Sequence, residues 1–235
     1  YGKLKPDAYV IVATVRALRY HGGAKRGEYE NSGIHFLEKG IENLKKHIEN
    51  AFEFGLKPIV AINHFATDSE AEISFIKETC ASLGVRAVVA DEFTQGGNGM
   101  IELAEAIVNR IEIYPNHFQP LYNVLDTVEN KIRKIATEVY GATDVVYSVK
   151  AKNQLKNIYE LGFDKWPICM AKTQKSLSDV ETKIGRPIDF KVTVREFEFA
   201  AGAGFIIPIL GDMMRMPGLP SVPASEGMDI TIDGT

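Results

Sequence analysis

Two spacings of apolar residues run through the first half of the chain. Three short apolar runs, each typical of a strand buried on both faces, lie at 8–14, 58–62 and 85–90. Apolar residues recur every three or four positions, which is helical spacing, over about 34–54, 69–83 and 100–111. A glycine-rich stretch at 22–33 predicts a loop. Strands alternating with helices predict an α/β fold with a parallel sheet and helical crossovers.

The second half has a different pattern. Residues 114–122 hold two prolines, three aromatic residues and a histidine, which predicts a packed connection. Helices are then predicted at 125–140 and 149–161, and strands at 145–147, 167–171, 190–199 and 205–210. We therefore expect two domains: 1–113, an α/β domain, and 114–235, a smaller α+β domain. A possible capping box, formed by Ser69 with Glu72 or by Thr67 with Glu70, marks the helix start near 69.

Composition excludes several classes of protein. The 235 residues are 45% hydrophobic and 25% charged, as in soluble globular proteins, and the net charge of −4 argues against a nucleic-acid partner. No apolar stretch is long enough to cross a membrane. The chain has only two cysteines, Cys80 and Cys169, which are predicted to be buried and inert and do not have metal-ligand spacing. A cytoplasmic location is the simplest expectation.

Both termini resemble interrupted elements. The first strand begins within a few residues of the start, and residues 229–235 resemble a hairpin without its second strand. We therefore expect the chain to be a fragment. A loop at 211–220, rich in Met and Pro, follows the last apolar strand and is typical of core filling or an interface.

Candidate binding residues follow two successive strands. Asn63, Phe65, Thr67 and Asp68 come after the second strand, and Phe93 comes after the third. Ligands of open α/β sheets bind at the carboxyl ends of strands. Two aromatic faces there would form a slot for a flat heterocycle. The alternative is that the two phenylalanines pack the top of the core, while Asn63 and Asp68 serve the turn and the helix cap.

Two further segments have alternative interpretations. Gly96 and Gly97 precede a helix, where free N–H groups favour anions, but a plain tight turn fits equally. Lys172 and Gln174 follow a predicted strand and are suited to a carboxylate or phosphate, or else belong to a solvated loop. The sequence has no GxxxxGK[ST] motif, the loop that binds nucleotide phosphates.

Several segments together resemble one family, formate–tetrahydrofolate ligase. They are VIVATVRAL with HGG (10–18 and 21–23), VAINHFATDSEAE (60–72), CMAKTQ (169–174), AGAGF (201–205) and MPGLP (216–220). The segments occur in the family's order along the whole chain, which resembles the C-terminal portion of the family's sequence. The resemblance implies the C-terminal part of a P-loop NTPase-like α/β domain, followed by a smaller α+β domain.

The resemblance also implies site residues. In the family, the folate ring lies between aromatic residues of two loops, which correspond here to Phe65 and Phe93. Ala66 and Val89 correspond to apolar positions of the same pocket. The family usually has Pro in place of Ala66 and Trp in place of Phe93, so weaker stacking is expected. Asn63, Thr67, Asp68, Gly96, Gly97, Lys172 and Gln174 are further candidates.

The implied reaction joins formate to tetrahydrofolate through formyl phosphate, using ATP and Mg²⁺ and allowing a monovalent cation. The phosphate loop, the catalytic residues and the metal ligands would lie upstream, so this chain alone would be inactive. The family's bacterial members form homo-oligomers. Two alternatives remain open: a non-catalytic folate- or purine-binding module or partner-binding subunit, and an α/β protein whose exposed phenylalanines mark an oligomer interface.

Overall fold

Two three-stranded sheets organise the chain in the computed structural model, and each has its own hydrophobic core. The structure describes residues 4–25, 27–28, 34–115, 117–211 and 222–227. The predicted Met- and Pro-rich loop beyond Gly211, the MPGLP segment and the hairpin at 229–235 lie outside the described residues. Within the described part, no helix combines the length and the apolar character needed to span a membrane.

The first sheet is parallel, as predicted. Its strands, in the order β1-β2-β3, are β1 (Val10–Ala13), β2 (Ile59–Asn63) and β3 (Arg86–Ala90). Its helices are α1 (Val15–His21), α2 (Ile34–Glu53), α3 (Glu70–Ser82), α4 (Glu92–Gln95) and α5 (Ile101–Ile113). Apolar side chains of β2 enter a separate core cluster on each face of the sheet, which explains its continuous apolar run.

Local sequence signals predicted the start of α3 but not the helix α1. Of the two possible capping boxes, the structure has the one formed by Ser69 and Glu72. Helix α1 was not predicted, because seven residues are too few for the helical period to stand out. It begins where Thr14 Oγ1 accepts the backbone N–H of Ala17 at 3.0 Å.

The second sheet is mixed. Its strands are β4 (Asp144–Tyr147), β5 (Lys191–Ala200) and β6 (Phe205–Leu210), with β4 parallel and β6 antiparallel to β5. Helices α6 (Val128–Lys134) and α7 (Val149–Glu160) accompany it. The α6 helix is shorter than the predicted 125–140, because a turn occupies 123–126 and a π-helical turn follows at Ile135–Val139. The predicted strand at 167–171 is reduced to two isolated bridges at Ile168 and Ala171.

Direct contacts join helices around the first sheet to segments of the second half of the chain. Asn43 of α2 donates through Nδ2 to the carbonyl of Gly185 at 2.9 Å, and the Gly185 N–H donates to His21 Nδ1 at 3.1 Å. The predicted packed connection is confirmed where the Phe118 ring lies parallel to Phe54, with centroids 6.4 Å apart. The proposed division into domains at 113/114 stays a prediction.

The two cysteines differ. Cys80 is buried in α3, and desolvation raises the pKa of its thiol to about 11. Cys169 is exposed, so the prediction of a buried thiol was wrong there. The reason is that its segment makes only isolated bridges and is not a covered strand.

Candidate functional site

The loops after β2 and β3 leave the sheet side by side. Asn63, the last residue of β2, is the register partner of Ala90, the last residue of β3. The next N–H, that of His64, donates to the Ala90 carbonyl at 3.0 Å. Further out, His64 Nδ1 lies 3.9 Å from Asp91 Oδ1. The structure therefore brings together the two loops that the sequence singled out.

A closed turn carries Phe65. The Phe65 N–H donates to Asp68 Oδ2 at 2.9 Å, and the Asp68 N–H donates to the Phe65 carbonyl at 2.9 Å. Ala66 and Thr67 lie exposed at the tip of the turn, and Asn63 is half-buried at its base. Asp68 thus shapes the turn, which was the structural alternative considered for this residue. Phe65 is 39% exposed on top of it.

The Phe93 side chain projects from the short helix α4. Asp91 caps this helix by accepting the Thr94 N–H at 3.4 Å, and Gln95 Nε2 donates to its other oxygen at 2.8 Å. These hydrogen bonds from Gln95 and Thr94 lower the pKa of the Asp91 carboxyl group. Phe93 is 95% exposed, so it contributes almost nothing to the core. Val89, by contrast, is half-buried against the core cluster of the first sheet.

The glycines after Phe93 have distinct roles. Gly96 has φ +56°, a backbone conformation that favours glycine. A Cβ added at Gly99 would lie 2.2 Å from the Asp91 carbonyl oxygen, so the chain passes too close there for any side chain. Gly97 meets nothing within 4 Å. The turn and the close approach explain Gly96 and Gly99, whereas Gly97 leaves backbone open to solvent.

Helix α1 supplies two residues that sequence reasoning missed. Arg19 is buried and pairs with Glu72 of α3 through Nη2, at 2.6 and 2.7 Å to the two carboxylate oxygens. The Arg16 guanidinium carbon lies 5.3 Å from the centre of the Phe65 ring. Both arginines of α1 thus contact the β2–α3 segment, one at its aromatic tip and one at the start of α3. A signal was present in the three-residue spacing of the arginines after a capping threonine.

Burial and hydrogen bonding shift the pKa of the Glu72 carboxyl group in opposite directions. Desolvation by burial raises its pKa, but hydrogen bonds from Ser69 and Arg19 outweigh that effect and hold the pKa below its usual value. The carboxylate is therefore charged near neutral pH and is fixed by both its own helix cap and the arginine of α1.

Lys172 and Gln174 lie elsewhere. They line a cavity of about 280 Å³ between α2 and residues 139–177, and neither Phe65 nor Phe93 borders it. The Lys172 ammonium donates to the carbonyls of Thr173 and Ser176 and lies 4.9 Å from the centre of the Tyr140 ring. Burial lowers its pKa to about 8. The structure therefore does not join these two residues to the phenylalanine loops.

Mg²⁺ is bound by carboxylates, and nucleotide phosphates are bound by glycine-rich loops with a lysine. Across the described ranges, no group of three or more His, Cys, Asp or Glu side chains is arranged to hold a metal ion. The sequence also lacks the GxxxxGK[ST] loop that would bind phosphates.

Comparison with family models gives the same family as the resemblance of the sequence segments. A model described as formate–tetrahydrofolate ligase matches residues 1–235, the whole length of the chain. The match extends through both sheets and includes both phenylalanine loops. The chain belongs to the formate–tetrahydrofolate ligase family.

Proposed function

We propose that this chain supplies the tetrahydrofolate side of a formate–tetrahydrofolate ligase site. The observation that carries the proposal is the pair of exposed rings, Phe65 and Phe93, on loops that leave directly paired strand ends. Family membership supports the ligase activity and gives tetrahydrofolate, formate and ATP as the substrates. The planar pyrimidine part of the tetrahydropterin ring is a surface that such a pair of aromatic faces fits.

The reaction proceeds in two balanced steps. ATP transfers a phosphoryl group to formate, giving formyl phosphate and ADP. The N10 amine of tetrahydrofolate then attacks the formyl carbon, the bond from that carbon to the phosphate oxygen breaks, and N10 loses its proton to the departing phosphate or to solvent. We propose that the residues for phosphoryl transfer, with Mg²⁺ and any monovalent cation, lie outside this chain, which is then inactive alone. A homo-oligomer in the cytoplasm is part of the same proposal.

We assign the roles at the ring site from the solvent exposure of each side chain. Phe65 and Phe93 stack on the ligand ring, while Ala66 and Val89 supply smaller apolar surface. Each aromatic contact adds about 0.5–1.5 kcal/mol beyond area burial. Gly97 leaves the backbone open for close approach of the ligand. Asn63, Thr67 and Asp68 support the turn that presents Phe65.

The test is calorimetric titration of tetrahydrofolate into the chain and into Phe65→Ala and Phe93→Ala. Each substitution should weaken binding roughly three- to tenfold, which corresponds to the loss of one stacking contact. Phe52→Ala is the matched control, because Phe52 is also exposed, at 42%, but lies on α2. If the folded chain does not bind, the same variants are compared in the full-length natural protein. Wild-type affinity in both site variants would refute the proposed ring site.

The alternative function is a non-catalytic folate- or purine-binding module or a partner-binding subunit. The absence of a phosphate-binding loop from the sequence is what favours it. Formation of 10-formyltetrahydrofolate by the natural protein, supplied with formate and ATP, separates the two functions. Folate binding without product would support the module.

A further inference from the structure

A continuous series of hydrogen bonds joins helix α1 to the turn that carries Phe65. Arg19 donates to the Glu72 carboxylate through Nε at 2.9 Å and through Nη2 at 2.6 and 2.7 Å. Glu72 Oε2 in turn accepts the backbone N–H of Ser69 at 3.1 Å and its hydroxyl at 2.7 Å. The residue before Ser69 is Asp68, whose carboxylate accepts the Phe65 N–H at 2.9 Å. One carboxylate therefore connects the turn to α1.

The turn is held at both of its ends. Before the turn, the backbone N–H of His64 donates to the Ala90 carbonyl at the end of β3, at 3.0 Å. After the turn, the hydrogen bonds of Ser69 to Glu72 attach the chain to the first turn of α3. The tip between these ends is exposed and has no cover from the core. The position of the turn therefore depends on how firmly the start of α3 is held.

The Arg19–Glu72 pair gives the start of α3 a defined place relative to α1. Both side chains are buried, and Nη2 of the guanidinium lies within hydrogen-bond distance of both carboxylate oxygens. The loss of water from two buried charges offsets much of their attraction. Such a pair is therefore a stronger argument for a fixed geometry than for net stability.

Helix α1 is itself fixed against α2. A Cβ added at Gly40 of α2 would lie 1.7 Å from the carbonyl oxygen of Leu18, next to Arg19 in α1. A Cβ added at Gly22, at the end of α1, would lie 1.8 Å from the carbonyl oxygen of Phe36. The two backbones thus meet closely at glycines, which have no side chain to separate them. Arg19 therefore extends from a helix that has little room to shift.

We propose that Arg19 and Glu72 are positioning residues of the ring site, which hold the turn at 65–68 where the Phe65 ring meets tetrahydrofolate. This inference rests on the proposed function. Both side chains are buried, so the role requires no contact between them and the ligand. Their effect on binding reaches the ligand through Phe65, so it should not exceed the contribution of that ring.

The experiment compares Glu72→Gln, Phe65→Ala and the double variant with wild type in the full-length natural protein. Glu72→Gln keeps the size of the side chain but removes the charge that pairs with Arg19. Calorimetry gives the Kd for tetrahydrofolate and the number of binding sites per chain, and steady-state kinetics give the KM for each substrate. Lys131→Ala is the control, because it removes a buried cation on α6, beside the second sheet.

A positioning role predicts a loss of affinity that is confined to tetrahydrofolate. Glu72→Gln should raise the Kd and the KM for tetrahydrofolate roughly three- to tenfold, as for one lost stacking contact, and leave the KM for ATP and formate unchanged. It should have little further effect when Phe65 is already alanine, because it acts through that ring. Arg19→Lys should retain more affinity than Arg19→Gln, since lysine keeps the charge without the fork. Lys131→Ala should lower stability and leave the Kd unchanged.

Two results would overturn the positioning role. An unchanged Kd with fewer binding sites per chain would show that Glu72→Gln only lowers the folded fraction. Losses that add in full in the double variant would show that Glu72 acts independently of Phe65. Phe65→Ala separates these results from failure of the proposed function. If Phe65→Ala retains wild-type affinity, the ring site itself is wrong; if it weakens binding while Glu72→Gln does not, only the positioning role fails.

Discussion

Aromatic side chains serve opposite purposes in the two sheets. In the second sheet, Phe190 and Phe197 are almost fully buried, and the Phe163 and Trp166 rings stack with centroids 4.2 Å apart. At the edge of the first sheet, Phe93 is 95% exposed. Rings in a core stabilise the fold, whereas a nearly uncovered ring contributes little to it, and the proposed ring site is based on this difference.

Buried charged side chains also have different partners in the two sheets. In the first sheet, a buried ion pair, Arg19 with Glu72, fixes the start of α3 behind the Phe65 turn. In the second sheet, the buried cation Lys131 has carbonyl partners: its ammonium donates to Asp164 at 2.6 Å and to Trp166 at 3.0 Å. Removing a partner from either arrangement takes hydrogen bonds away from a buried polar group, and the two regions can be tested in the same way.

The largest effect is expected from Glu72→Ala. The substitution leaves Arg19 charged and buried without its carboxylate and removes half of the capping box, so the free energy of unfolding should fall by about 3–5 kcal/mol. Urea denaturation followed by circular dichroism measures the loss. Glu70→Ala, an exposed residue in the same first turn, should change stability by less than about 0.5 kcal/mol. Equal effects of the two substitutions would contradict the role of the ion pair.

The Glu72 carboxylate should also make the free energy of unfolding depend on pH. The pKa of Glu72 is lowered in the folded protein, so the unfolded state binds the proton more readily. The stabilisation is therefore complete above the unfolded pKa of about 4.3 and is lost as the pH falls through the folded pKa. Urea titrations between about pH 6 and pH 3 should show a flatter pH slope for Glu72→Gln than for wild type.

In the second sheet, Lys131→Ala should cost about 3 kcal/mol. The side chain is fully buried, and its removal leaves a cavity and two carbonyls without their donor. The control is Lys134→Ala on the same helix, whose ammonium is 4.0 Å from Asp126 at the surface. Differential scanning calorimetry of both variants gives the comparison. A loss for Lys131→Ala no greater than that for Lys134→Ala would show that the carbonyl contacts contribute little.

A smaller effect, local to the ring site, is expected from Gly99→Ala. The added Cβ meets the Asp91 carbonyl oxygen at 2.2 Å, so the loop that presents Phe93 has to shift, at a cost of about 1–3 kcal/mol. Gly202→Ala is its control, with nothing within 4 Å of the new Cβ and a position between β5 and β6, in the second sheet. Thermal unfolding and tetrahydrofolate titration are measured for both. If Gly99→Ala bound and unfolded like the Gly202 variant, the close approach would not matter.

The smallest effect on stability is expected from Phe93→Ala, which sharpens the contrast between the sheets. Because the ring is almost fully exposed, its loss should change the free energy of unfolding by less than about 0.5 kcal/mol. Phe190→Ala in the second core should cost about 3–5 kcal/mol. Chemical denaturation of the two variants makes the comparison. A large destabilisation by Phe93→Ala would mean that the ring packs against the protein and is not reserved for a ligand.

Much of the fold was readable from the sequence, because its signals are local. The apolar runs predicted β2 and β3, the helical spacing predicted α2 and α3, and the Ser69–Glu72 capping box marked the start of α3. Each signal spans a few residues whose own backbone determines the outcome. The same local logic placed Phe65 and Phe93 after strand ends.

Tertiary structure alone decided which distant groups meet. It set Arg19 against Glu72, 53 residues away, and it placed Arg16 over the Phe65 ring. It also directed Lys172 into a cavity apart from the two phenylalanine loops. These contacts depend on strand order and helix packing, which bring together residues far apart in the chain and leave no periodic trace in the sequence.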